Sequence, residues 1–189
     1  MSIEAGYFVG AAVVGVGATL FMDIWALLLK FAFKVPLANY CLVGRWIGHM
    51  PEGTFMHANI AASSQKRSEC TVGWVVHYVV GAMYGLVFVA LVSGNWLSRP
   101  TILPALLFGI GSVLVAYMVM QPSFGLGIAA SRAPRPTLAR LRSLMAHTVF
   151  GVGLYVSAVG VNYLLQAHAY PSLNADAHRR AFSPPAVAG

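Results

Sequence analysis

Four windows of the chain, Ala5 to Leu29, Thr71 to Val92, Thr101 to Met120 and Leu144 to Leu165, each run about twenty residues with few or no charges. A helix of that length, rising 1.5 Å per residue, spans the roughly 30 Å of a bilayer's hydrocarbon layer. Backbone inside hydrocarbon must satisfy its own hydrogen bonds, so runs of this kind are expected to fold as membrane-spanning helices. Only 9% of the 189 residues are charged, against roughly 25% in an ordinary soluble domain. A soluble domain of this size could not bury so much apolar surface. The expected fold class is all-α integral membrane: four transmembrane helices within residues 1–165, then a mobile polar tail over 166–189 that holds His168 and His178.

The first window is preceded by Met-Ser-Ile-Glu rather than a basic stretch, and Lys30 and Lys34 follow it. It reads as a retained anchor, not a cleaved signal. The formal charge of +7 is spread as flanking charge and makes no basic stripe interleaved with aromatics, so a nucleic-acid partner is not expected. Lys30, Lys34, Arg45, Lys66 and Arg67 lie between spans one and two, and Arg132, Arg135, Arg140 and Arg142 between spans three and four. The other side carries only Arg99, Arg179 and Arg180. The positive-inside rule puts both long loops in the cytoplasm, and an even number of spans then puts both termini on the outer, periplasmic side. Cys41 and Cys70 then sit in a reducing compartment, and no disulfide is expected.

The two halves share an order of features. Gly15-Val-Gly17-Ala-Thr19 in span one resembles Gly109-Ile-Gly111-Ser-Val113 in span three. Ile-Ala-Ala-Ser recurs at Ile60 to Ser63 and at Ile128 to Ser131, and His-x-x-x-Gly at His77 to Gly81 and at His147 to Gly151. The expectation is two parallel helix-loop-helix repeats, an arrangement in which transporters place their sites between the repeats.

Ionisable groups within a span are costly and mark function. Three occur here, Asp23, His77 and His147, and their depths agree. Asp23 and His77 lie seven residues from Lys30 and Cys70, roughly 10 Å along a helix, and His147 lies five from Arg142, roughly 8 Å. Asp23 shares a stripe with Thr19 and Gly15, and His77 with Gly81 and Gly85, so both should face another helix. Tyr117 and Gln121 stand at the same level, and His49, His57, Glu69 and Arg45 come from the loop side, which outlines a cytoplasm-facing polar cleft.

Several chemistries stay open for this layer. Asp23 and a histidine can simply pair between helices. Asp23, His77 and His147 could ligate a transition metal, although no His-x-x-x-His, Glu-x-x-His or Cys-x-x-Cys spacing supports it. Two histidines from different helices could also hold haem. The cleft could equally handle a proton or a solute. Arg45 and the Arg135 to Arg142 group suit phosphate or anionic lipid, though topology alone explains them. Met22, Met50, Met56, Met118 and Met120 form no ladder for a soft metal.

The runs Gly17-Ala-Thr-Leu-Phe-Met-Asp23, Asn39-Tyr-Cys-Leu-Val-Gly-Arg45-Trp-Ile-Gly-His49, Gly73-Trp-Val-Val-His77-Tyr and Gln121-Pro-Ser-Phe-Gly-Leu-Gly-Ile-Ala-Ala-Ser131 resemble a family of small bacterial membrane proteins catalogued only as a domain of unknown function. The resemblance covers about Gly6 to Gly160 and implies an inner-membrane location and four spans, with no reaction attached. Three roles follow as expectations: a protein that binds or transports a small molecule, ion or lipid; a membrane-embedded metalloenzyme acting on a lipid-soluble substrate; or a non-catalytic subunit of a membrane complex. Membrane lipid is the expected surrounding partner, with self-association or a partner subunit open to its glycine-rich faces.

Overall fold

The computed structural model describes the backbone of residues 3–92 and 96–181 and the side chains of residues 6–92 and 96–164. The described residues are helices and loops, without strands. Four helices, Gly6–Phe33, Glu69–Leu91, Ile102–Ser123 and Pro136–Leu164, are long and apolar enough to cross a membrane. Their outward faces carry exposed apolar side chains such as Phe8, Leu28, Val75 and Leu107, which is how helices bathed in lipid tails present themselves.

Two boundaries depart from the apolar windows. The fourth helix starts at Pro136, where the ring's fixed φ and missing N–H suit a first turn, and continues as one helix to Ala181. The stretch read as a tail is therefore helical to Ala181, whereas 182–189 lie outside the described residues, as do the side chains of His168, His178, Arg179 and Arg180. The third span is α-helical over Ile102–Val115, widens to a π-helix over Ala116–Met120 and closes with one turn at Gln121–Ser123.

Small residues set the packing. The first span rests one face on the second: a Cβ on Gly15 would stand 2.2 Å from the Gly81 carbonyl oxygen, so the two backbones approach as only glycine permits. The third and fourth spans meet the same way, where a Cβ on Gly109 would stand 2.5 Å from Gly151 Cα. Spans one and four join the pairs through Gly17 against Ser157 and Gly153 against Ala18. Spans two and three thus lie on the flanks, and they meet through aromatic rings, Tyr84 and Phe88 against Phe108 at 6.1 and 5.1 Å between centroids. A space opens between the flanking spans on the loop side of that aromatic cluster.

The two loops close into one layer. His57 and Ile60 donate backbone N–H groups to the carbonyls of Ser123 (2.9 Å) and Phe124 (3.2 Å), and the Trp46 ring stands edge-on to Phe124. Both Ile-Ala-Ala strings form short 3-10 turns, at Ile60–Ala62 and Ile128–Ala130. Each is gripped by an arginine: Arg45 Nη1 donates to Ala61 O (3.0 Å) and Arg140 Nε to Ala129 O (2.7 Å). The turns differ in backbone, because Ala129 and Ala130 take positive φ of 48° and 55°.

A helix within the first loop, Tyr40–His49, is capped by Asn39, whose side chain accepts from Cys41 N at 3.1 Å. It lies tightly along the start of the second span, where a Cβ on Gly44 would stand 1.7 Å from the Glu69 carbonyl oxygen and one on Gly73 1.8 Å from that of Tyr40. That approach corrects the expectation for the cysteines: Cys41 and Cys70, 29 residues apart in sequence, form a disulfide. Compartment says nothing of proximity, and the Gly44–Gly73 contact is what brings the two positions together.

Candidate functional site

The space between the flanking spans is a cavity of about 560 Å³, within the size range of small-molecule sites. All four spans contribute to its wall, together with the linker at Val35 to Ala38 and the loop helix through Tyr40, Val43 and Trp46. Tyr84 and Phe150, 5.9 Å apart between ring centroids, close its deep end. Four residues at and beside the π-helical turn, Val115, Ala116, Val119 and Met120, form the third span's share. Such a turn re-aims side chains and is frequent at functional sites.

Asp23 is placed by the first span on the stripe anticipated from its spacing. His77 Nε2 meets Asp23 Oδ1 at 3.1 Å and Tyr78 Oη donates to Asp23 Oδ2 at 2.9 Å. A carboxylate only accepts, so Nε2 is the nitrogen that carries the proton. The pair is largely enclosed, with side-chain exposures of 10% for His77 and 14% for Asp23. Tyr40 stacks on the His77 ring at 4.0 Å, and Trp74 stands 4.7 Å from Tyr40. Burial first, and then the nearby Asp23 charge, push the Tyr40 phenol pKa above its ordinary value, so this ring remains a neutral hydroxyl. One turn deeper, the buried Thr19 donates to its own Gly15 carbonyl at 2.9 Å and lines the cavity beside Gly81.

His147 shares the cavity but not the pair. Its Nδ1 lies 2.7 Å from Ser112 Oγ, which itself donates to Gly109 O at 2.6 Å. A hydroxyl has one proton; given to Gly109, it leaves Nδ1–H as the donor and Nε2 as a free acceptor. Among the described residues, no group of three or more His, Cys, Asp or Glu side chains is placed to share a metal ion. Asp23 and His77 meet, and His147 is bound elsewhere.

The other residues of the anticipated cleft form a separate network that ties the loops. Arg45 is buried and uses both ends of its guanidinium, with Nε and Nη2 on the Glu69 carboxylate at 2.9 and 2.7 Å and Nη1 on the carbonyls of Ile60, Ala61 and Ser63. Glu69 also accepts from Lys66 N at 3.0 Å. His49 bridges Glu52 and the Ser64 carbonyl, and its ring meets His57 edge-on at 4.9 Å. Both ring nitrogens of His57 are buried without a partner among the described residues. Lys66 pairs with Glu52. Tyr117 donates to the Arg140 carbonyl (2.7 Å), and buried Gln121 donates to Ser143 Oγ (3.1 Å).

The chain matches the family described as "Protein of unknown function (DUF2938)" over residues 12–161. It belongs to the DUF2938 family. No curated protein and no solved structure matches it. The matched range takes in every residue of the DUF2938 cavity and of the Arg45–Glu69 network. Reading by residue type overlooked Tyr40, Tyr78 and Ser112, whose hydroxyls are ordinary in sequence. Tyr78 had a signal in its adjacency to His77, and Ser112 had none.

Proposed function

We propose that this protein binds, and moves within a bacterial inner membrane, a small amphipathic molecule held in the cavity between its two helix pairs. The observation that carries the reading is a largely apolar cavity, walled by all four spans, with the Asp23–His77–Tyr78 cluster set into one side. An apolar space with a few convergent polar groups suits a ligand that has both characters. The halves support a duplicated unit as well: Gly15 on Gly81 is matched by Gly109 on Gly151, and the two Ile-Ala-Ala turns each receive an arginine. Sites between repeats are the rule in transporters of that design.

The test uses protein in phosphatidylcholine nanodiscs and a neutral probe, the N-methyl amide of a dansyl-labelled undecanoic acid. Trp25 and Trp46 line the cavity and serve as energy donors. Saturable transfer is expected in the native protein. Ala146→Phe and Ala26→Phe, which fill the cavity from the fourth and the first span, should each weaken it by about tenfold or more, ~1.4 kcal/mol. Transfer that is unsaturable, or unchanged in both variants with native helicity, would remove the reading.

We place the loop side in the cytoplasm, where Lys30, Lys34, Arg132 and Arg135 lie against Arg99 on the other side. The bond between Cys41 and Cys70 is then the oxidised form of a dithiol that the glutathione pool opens. In intact cells both thiols should react with membrane-permeant N-ethylmaleimide without prior reduction, and not with a membrane-impermeant sulfonated maleimide. Labelling by the impermeant reagent only after reduction would invert the topology.

A further inference from the structure

The polar groups around the cavity are not all hydrogen-bonded. Asp23 is answered by His77 and Tyr78, Arg45 by Glu69 and three carbonyls, and Arg140 by the Ala129 carbonyl. Arg142 lines the cavity from the fourth span, is half-buried, and has no hydrogen-bond or ion-pair partner among the described residues. Ser143 beside it also lines the cavity and accepts from Gln121 Nε2, which leaves its hydroxyl proton free to donate. Gln121 Oε1 is buried without a partner among the described residues. One end of an apolar cavity thus offers an unanswered guanidinium and an uncommitted hydroxyl.

We propose that the cavity takes an anionic amphiphile, its carboxylate or phosphate head held by Arg142 and Ser143 and its chain lying along Leu29, Val80, Val119 and Phe150. The planar guanidinium fork matches either oxyanion with two parallel N–H donors, and a hydroxyl beside it adds a third. An unpaired cation beside apolar walls is costly, so an anionic head that enters relieves a charge as well as making bonds. The chain buries against the aromatic-closed end of the cavity. A cationic head finds Asp23 already occupied by two donors. This assignment rests on the binding reading above and adds the sign of the head group.

The experiment compares two probes in phosphatidylcholine nanodiscs: dansyl-labelled undecanoate and its neutral N-methyl amide. The native protein should bind the carboxylate about tenfold or more tighter than the amide, the worth of a hydrogen-bonded charge. Arg142→Gln should bring that ratio close to one, and Arg142→Lys should restore most of it. Dodecyl phosphate should displace the anionic probe; dodecyltrimethylammonium and inorganic phosphate should not. Displacement by monomeric dodecanoate marks a free acyl anion as the ligand, whereas displacement by phosphatidylglycerol built into the disc marks a bilayer lipid, and each agrees with the proposal.

A ratio near one in the native protein, a ratio unmoved by Arg142→Gln, tighter binding of the cationic chain, or equal displacement by inorganic phosphate would each overturn it. The unmoved ratio is the result expected if Arg142 only reaches out to the headgroup layer. Saturable amide binding with no charge preference would sink this inference and leave the binding reading intact, while the absence of saturable binding by either probe would sink both.

Discussion

Glu69→Ala is expected to destabilise the protein by about 3–5 kcal/mol, because it strands the Arg45 guanidinium in a site where its side chain is only 8% exposed. Arg45 reaches Glu69 through two charge-assisted bonds and three carbonyls of the first loop through its remaining nitrogen. The carbonyls are dipoles and cannot supply the missing charge. The loss should appear as a lower midpoint of thermal unfolding in detergent and as release of the Ile60–Ala62 turn from the loop helix. The double replacement Arg45→Met with Glu69→Leu separates the causes. If the stranded charge dominates, the double variant should be more stable than Glu69→Ala alone; if it is equally unstable or worse, the network matters for the shape it imposes.

Gly81→Leu carries the second large effect. A single Cβ there would already lie 1.9 Å from Thr19 Oγ1 and 3.3 Å from the Gly15 carbonyl, so a leucine must drive the first two spans apart. Overpacking of a close contact costs about 1–3 kcal/mol and sometimes more. The functional consequence is sharper than the energetic one, because His77 lies one turn from Gly81 on the same face and its bond to Asp23 spans the same interface. Energy transfer to the neutral probe should be lost together with stability. Gly111→Leu is the control: nothing stands within 4 Å of a Cβ at that position, and the midpoint should stay within a degree or two of native. A Gly81→Leu protein with native stability and native probe binding would contradict the close-packed interface.

Much of the candidate site could be read from spacing. Asp23, His77 and His147 all line the cavity, and Asp23 and His77, whose small-residue stripes pointed each at another helix, meet across the first interface. Helical period explains that placement: once a chain segment is committed to a helix, depth and facing direction follow from residue number. What that period leaves open is which helix a stripe faces. His147 was equivalent to His77 by sequence, yet its neighbour is Ser112 of the third span, and the layer of three groups divides into a carboxylate–imidazole pair and a serine–imidazole hydrogen bond.

The loop residues were the harder case. Arg45, Glu69, His49 and His57 are polar and close in sequence to the loop-side ends of the spans, which favoured their place in the cleft; in the fold Arg45 and Glu69 bond each other, His49 bonds Glu52 and a loop carbonyl, and the His57 ring stands edge-on to His49. Irregular segments have no period from which a direction can be taken, so their partners depend on tertiary contacts. The disulfide is the clearest instance, since compartment argued against it while the Gly44–Gly73 approach of the loop helix brought Cys41 to Cys70.

The sequence by itself determined that this chain makes four long apolar helices, where three of them begin to within two residues, and which ionisable groups lie within them, because the hydrocarbon layer demands length and apolarity that only sequence supplies. Only the tertiary structure decided that spans two and three take the flanks, that a cavity opens between them on the loop side of their aromatic contact, and that Arg142 borders it without a partner among the described residues. Lipid offers helices no hydrophobic preference for one neighbour over another. The choice of neighbour falls to close backbone contacts at a few glycines, and those contacts become visible when both sides of each interface are in place.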